Sequence, residues 1–171
     1  VSHSSKDTFR KNQTSIAYDV NGTTLSVLKG EKDVYYIEYE DIPVYIKQAI
    51  ISTEDKRFYK HKGIDYRGIM RAIIAMIQDG EVTQGGSTIT QQLARTVFLS
   101  NEKTWERKIE EMYIAVELEK KYTKEDILEF YLNNVYFANG YYGIEAAAQG
   151  YFGTDVSHLS LSQMIYLCAI P

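Results

Sequence analysis

The residues best equipped for chemistry are gathered in Glu54–Asp65, EDKRFYKHKGID. Two adjacent acids, Glu54 and Asp55, lead into Lys56, Arg57, Lys60 and Lys62, with Phe58, Tyr59 and His61 between them. No amphipathic helix or buried strand requires that order. A carboxylate among cations and aromatics is suited to removing a proton beside an anionic ligand. A second acid of interest is Glu111. In a helical pattern over 104–121, at about 100° per residue, Glu106, Glu110, Glu117 and Lys121 form a solvated stripe. Glu111 has Arg107, Ile114 and Leu118 as turn-neighbours, so partial burial and a pairing with Arg107 are expected. A structural ion pair is at least as common an explanation for such an acid as a catalytic role. A third feature is Gly85-Gly86-Ser87, which precedes a helical pattern over 88–98. A helix start after glycines can offer N–H groups to an anion, and Thr88, Gln92 and Arg95 share one stripe of it. A capped surface helix is the plainer reading of the same residues.

The elements that must position these groups are mostly helical. Residues 1–14 are polar and read as a flexible N-terminal segment, ahead of one domain over 15–171. Ile16, Tyr18 and Val20 alternate with polar residues, Asn21-Gly22 follows, and Leu25 and Val27 resume the alternation, which is a hairpin signal. Val34–Tyr39 could add a third strand. Asp41 can cap a helix with Pro43 in its first turn and Ile46, Ala49, Ile50 and Thr53 facing inward, ending at Glu54. Asp65 can cap a helix over Tyr66–Gln78, closed by Gly80. Ile69, Met70, Ile73, Ile74, Met76 and Ile77 circle much of that helix, which favours a place in the core over contact with lipid. Trp105, Ile109, Met112 and Val116 form the apolar stripe of the 104–121 helix. Thr123 with Asp126, and Ser160 with Gln163, are capping boxes for two more helices. Asn134–Gly143 is a turn-rich aromatic loop and Ile144–Gly150 a short Ala-rich helix. The sum is five to seven helices and one small sheet, a mainly α fold.

Composition narrows the function. With 171 residues, 44% of them apolar and 25% charged, the chain forms one ordinary globular domain. A net charge of −4 gives no general attraction for nucleic acid. Locally the sign reverses, with six Lys/Arg against the single Asp65 between Lys56 and Arg71. The single cysteine, Cys168, rules out an internal disulfide. No apolar run has the length of a membrane span. The abrupt start, and the end at Pro171 just after an apolar helical pattern, read as a piece of a longer protein.

Five blocks carry a resemblance. EDKRFYKHKGID at 54–65 is followed by GGSTITQQLAR at 85–95 and by RKIEE at 107–111 with the ELEKKYTKEDILEFYLN after it. NNVYFANGYYGIEAAAQGYFG at 133–153 and LSLSQMIYLCAIP at 159–171 complete the order. Over roughly residues 15–171 the chain resembles glycosyltransferase family 51, the peptidoglycan glycosyltransferase domain of class A penicillin-binding proteins and monofunctional cell-wall polymerases. The resemblance implies a lysozyme-like helical fold with a small N-terminal hairpin and a membrane-facing jaw lobe. It implies polymerisation of lipid II into β-1,4-linked glycan, with inversion at MurNAc C1 and release of undecaprenyl pyrophosphate, on the extracytoplasmic face of the bacterial membrane. By motif position Glu54 matches the general base and Glu111 the second glutamate, while Asp55, Phe58, His61, Thr88, Gln92, Arg95, Lys103 and Arg107 match substrate-binding positions. Mg²⁺ or Mn²⁺ is an optional cofactor, with Glu111 as its candidate ligand. The implied partners are lipid II, the growing glycan, the membrane, moenomycin-type inhibitors and a linked transpeptidase domain. In this setting the 66–78 helix moves from core towards lipid, with Arg67 and Arg71 near headgroups.

The chain departs from the family pattern in three places. Arg95-Thr96 replaces the usual Lys-Asn, which exchanges a point charge for a planar fork. Gln163 replaces a usual Glu, and the family's last residues are absent. Two rival readings are a lysozyme-like muramidase or lytic transglycosylase, and an inactive relative that holds lipid or glycan. A hydrolase has no pyrophosphate to hold, so the basic residues favour the polymerase.

Overall fold

The computed structural model of the chain describes residues 5–10, 16–18, 24–27, 35–79, 86–99 and 104–171. Eight α-helices make up most of them: α1 (Lys6–Arg10), α2 (Val44–Glu54), α3 (Tyr66–Asp79), α4 (Ile89–Phe98), α5 (Trp105–Lys121), α6 (Lys124–Asn134), α7 (Ile144–Phe152) and α8 (Leu161–Cys168). Two short strands, β1 (Ile16–Tyr18) and β2 (Thr24–Val27), pair antiparallel. The Asn21-Gly22 turn expected between them lies outside the described residues, as does Gly80. The fold is mainly α.

α6 is the central helix, with every residue from Ile127 to Asn134 buried. The box foreseen at its start is present: Thr123 Oγ1 accepts from Asp126 N, and the Asp126 carboxylate accepts from Thr123 N. α4 packs on both α5 and α6, and α2 packs on α8. Ile46 and Ile50 of α2, Leu93 of α4, Leu118 of α5 and Leu167 of α8 are all within the one apolar core. The helix at 161–168 also has its box, in which Gln163 fills the position of the usual Glu and accepts from Ser160 N through its amide oxygen. α2 begins later than expected, with Pro43 as cap residue, because Tyr39–Asp41 forms its own 3₁₀ turn.

Four expectations are corrected. The third strand does not form among the described residues: Tyr35 is a bend residue and Tyr36–Glu38 belong to no strand. Side chains of α6 take the place of a strand partner. The Asn133 amide meets both Ile37 N and Ile37 O at 2.8 Å, and the Glu129 carboxylate accepts from Tyr36 Oη at 2.6 Å and Tyr39 N at 2.8 Å. Within the segment read as flexible, Lys6–Arg10 is a helix whose Phe9 is fully buried, stacked on Phe130 at 4.1 Å and edge-on to Phe98 and Tyr122. The residue-level reading of α3 as a core helix also fails, since Tyr66, Met70, Ile74 and Ile77 are exposed. On α5 the face assignment inverts. Trp105 and Ile109 are 84% and 67% exposed, whereas the buried residues are Glu111, Ala115 and Leu118.

Candidate active site

α2 ends at Glu54, and the chain turns there because Asp55 leaves helical geometry. The turn places the two acids in opposite surroundings. Glu54 is half-buried, and its Oε2 accepts from Gln92 Nε2 of α4 at 3.0 Å. The Gln92 amide is held at its other end by Tyr131 of α6, whose hydroxyl lies 3.1 Å from Oε1. Arg95, one turn further along α4, is near enough for its charge to act on the Tyr131 phenol, as does that of Glu54.

Asp55 is buried and faces inward. Its Oδ2 accepts from Ile89 N at 3.1 Å and lies 2.8 Å from His61 Nε2. Gly63 N donates to His61 Nδ1 at 3.2 Å, so the Nε2 nitrogen carries the ring proton and donates to Asp55. Phe58 is fully buried with the His61 ring edge-on to it, and the Lys124 ammonium lies over the Phe58 ring at 4.4 Å from its centre. Thr88 caps α4: its Oγ1 accepts from Gln91 N and donates to Gly63 O at 2.6 Å. Asp55, Phe58, His61 and Thr88 therefore stand behind the site, each less than a tenth exposed.

The start of α4 was expected to offer free N–H groups to an anion. Protein groups take three of these N–H groups. Thr88 N is taken by Gln91 Oε1, Ile89 N by Asp55 and Gln91 N by Thr88 Oγ1. The capping box and Asp55 thus occupy much of this helix start, and the full positive charges near the second glutamate come from side chains.

Those side chains gather at Glu111. It is fully buried, with Arg107 Nη1 at 2.6 Å from Oε2 and Lys108 Nζ at 2.5 Å from Oε1. Lys108 also donates to Ser87 Oγ at 2.7 Å, which ties α5 to the residue preceding the α4 cap. Arg107 Nε is buried with no partner among the described residues, a donor in reserve. One carboxylate thus holds two cations, and the cluster retains a net positive charge. Lys103 lies outside the described residues. Lys108 joins the candidate site beyond the residues expected from the motifs, and its spacing of three from Glu111 is the signal for it in the sequence.

Neither oxygen of Glu111 is open to a metal, and among the described residues no group of three or more metal-ligating side chains occurs. The expectation that Glu111 ligates a divalent cation does not fit this donor set. Asp65, the expected cap of α3, accepts from Arg67 N and pairs with Arg57. Burial alone would raise its pKa, but the Gly68 N–H and the Arg57 guanidinium hold it below the ordinary value.

A family model described as transglycosylase matches residues 21–171. The chain is 42% identical over 160 residues to penicillin-binding protein 4 of Bacillus subtilis (strain 168), covering 93% of this chain and 26% of that protein. It is 44% identical over 159 residues to penicillin-binding protein 1A of Aquifex aeolicus (strain VF5), covering 93% and 22%. With penicillin-binding protein 1A of Escherichia coli (strain K12) it shares 46% identity over 142 residues, covering 83% and 17%. The chain spans about a quarter or less of the length of these relatives. Helices α2 to α8 and both glutamates, Glu54 and Glu111, fall within the matched residues, and the chain belongs to the transglycosylase family.

Proposed function

We propose that the chain is a peptidoglycan glycosyltransferase that polymerises lipid II. The observation that carries this reading is the separation of two differently equipped glutamates. Glu54 is half-buried and takes one hydrogen bond among the described residues, which leaves it able to take a proton, whereas Glu111 is fully buried and serves two cations. Glu54 removes the proton of the GlcNAc 4-hydroxyl of the acceptor as that oxygen attacks C1 of the MurNAc unit at the reducing end of the growing glycan. The bond from C1 to the pyrophosphate oxygen breaks, its electron pair leaves with undecaprenyl pyrophosphate, and the α-linked donor becomes a β-1,4 linkage. Arg107 and Lys108, aligned beforehand by Glu111, stabilise the charge that builds on the leaving group, with Arg95 and Lys103 as further cations. Asp55, Phe58, His61 and Thr88 support this arrangement from behind. Mg²⁺ or Mn²⁺, where it takes part, would accompany the pyrophosphate, since Glu111 is fully buried and already paired with two cations.

The sealed state of Glu111 weighs against a two-carboxylate hydrolase, which needs its second acid free as nucleophile or base. Incubation with lipid II followed by separation of glycan chains tests the choice. Lengthening of chains supports the polymerase. Shortening of preformed glycan, or tight binding of a moenomycin-type inhibitor without turnover, would support one of the rivals.

The same reading places a jaw lobe against the extracytoplasmic membrane face. Its support is the exposed apolar row Tyr66, Met70, Ile74 and Ile77 on α3 with Arg67 and Arg71 exposed on the same helix, and the exposed row Trp105, Ile109 and Tyr113 on α5. Among the described residues no helix is long and apolar enough to cross a membrane, so this contact is interfacial. The greater length of the relatives leaves room for a linked transpeptidase domain.

A further inference from the structure

Gln92 has two ways to sit between Tyr131 and Glu54, because an amide presents a donor at one end and an acceptor at the other. With Nε2 towards Glu54 it stabilises the carboxylate. Turned over, it presents Oε1 to the same carboxylate, which repels it. The carboxylate thus favours the first arrangement, and a partner on the far side has to hold the amide in it. That partner is the Tyr131 hydroxyl, 1% exposed and surrounded by the core of α6. A phenol can donate or accept, but burial keeps its proton in place, so a donated hydrogen bond to Gln92 Oε1 is always available.

We propose that Tyr131 is a positioning residue for glycosyl transfer: its hydroxyl fixes the Gln92 amide so that Nε2–H stays aimed at Glu54 and holds that carboxylate in its proton-accepting pose. This rests on the reading of Glu54 as the base. The residue lies in none of the groups that touch reacting atoms, and its ring alone would satisfy the core. The hydroxyl is the part with a further task.

The experiment is a double-mutant cycle in the full-length protein, with kcat and KM for lipid II measured for the parent, Y131F, Q92A and Y131F/Q92A. Y131F keeps the ring and is expected to melt within a few degrees of the parent, about the effect of one lost hydrogen bond in a domain of this size. Its kcat should fall by on the order of tenfold with KM within about twofold, since orientation and not ground-state binding is lost. In the Q92A background the Phe substitution should have no further effect, because the two residues act through one contact. Parent-like kcat in Y131F, or an equal loss with and without Gln92, would overturn the proposal. Q92E offers a second route that leaves Tyr131 intact, since it keeps an acceptor for the phenol and removes the N–H facing Glu54. Parent-like kcat in Q92E would also overturn it. Glu54→Gln separates the two levels. An active E54Q removes the base reading itself, whereas an inactive E54Q with an additive Y131F removes only the role of Tyr131.

Discussion

Glu111 illustrates how one buried charge can be affordable. Its two oxygens each meet a cation at hydrogen-bond distance, so desolvation is offset on both sides. Removing it strands Arg107 and Lys108. Glu111→Ala is expected to lower stability by roughly 3 kcal/mol, the low end for a broken buried pair because Lys108 keeps 31% of its side chain in solvent. Denaturant titration of the parent and variant measures this. Lys108→Ala should leave the fold in place, since Arg107 still pairs with Glu111, and should lower kcat by on the order of 100-fold if the ammonium faces the leaving group. The pairing of Arg107 with Glu111 was readable from their spacing of four. The open state of Glu54 and the sealed state of Asp55 were not, because adjacent residues at a helix end diverge according to how the chain leaves the helix.

At the scale of elements, α4 is the hinge of the site. Its start is bound by Asp55 on one side and, through Ser87, by Lys108 on the other. Thr88→Val removes both the cap and the bond to Gly63 O, and should cost about 1–2 kcal/mol in thermal or denaturant melting. Gly63 is under tighter constraint. Its φ is +94°, and a Cβ there would lie 2.8 Å from the Ala115 carbonyl carbon and oxygen. Gly63→Ala is expected to cost about 2–4 kcal/mol through strain and overlap, and to separate the first motif from α5. Helix periodicity found the extent of α5, yet it assigned the wrong face to the core. A stripe of Trp105, Ile109, Met112 and Val116 states which residues share a side, not which neighbour covers that side. The covered face is the one carrying Glu111, Ala115 and Leu118. The third strand was expected in error for a related reason: the backbone groups of that segment pair with side chains of Asn133 and Glu129, about ninety residues away in sequence, which no local pattern announces.

For the whole molecule, the exposed apolar rows of α3 and α5 predict adsorption to lipid. Ile74→Glu together with Ile77→Glu should reduce partition onto anionic vesicles in a sedimentation assay without lowering the melting temperature, as both side chains are already in solvent. Unchanged partition would remove α3 from the proposed interface. Acid should loosen the molecule at two places. Asp65 and Asp126 are both subject to burial, which alone would raise their pKa values. Arg57 with the Gly68 N–H at the former, and Lys6 with Thr123 at the latter, hold them below the ordinary carboxylate value. A folded-state pKa below that of the unfolded chain gives stability that is present above about pH 4 and lost as pH falls through the lowered values. Melting temperature should therefore drop below about pH 4, and D126N should flatten the part of that drop that belongs to the docking of α1.

The central claim concerns Glu54, and lipid II polymerisation by Glu54→Gln tests it most directly. The amide keeps the size of the side chain and its place at the end of α2 but cannot accept the hydroxyl proton. Turnover should fall by at least about 100-fold with the protein still folded and still binding lipid II. Turnover near that of the parent would contradict the assignment of Glu54 as the base.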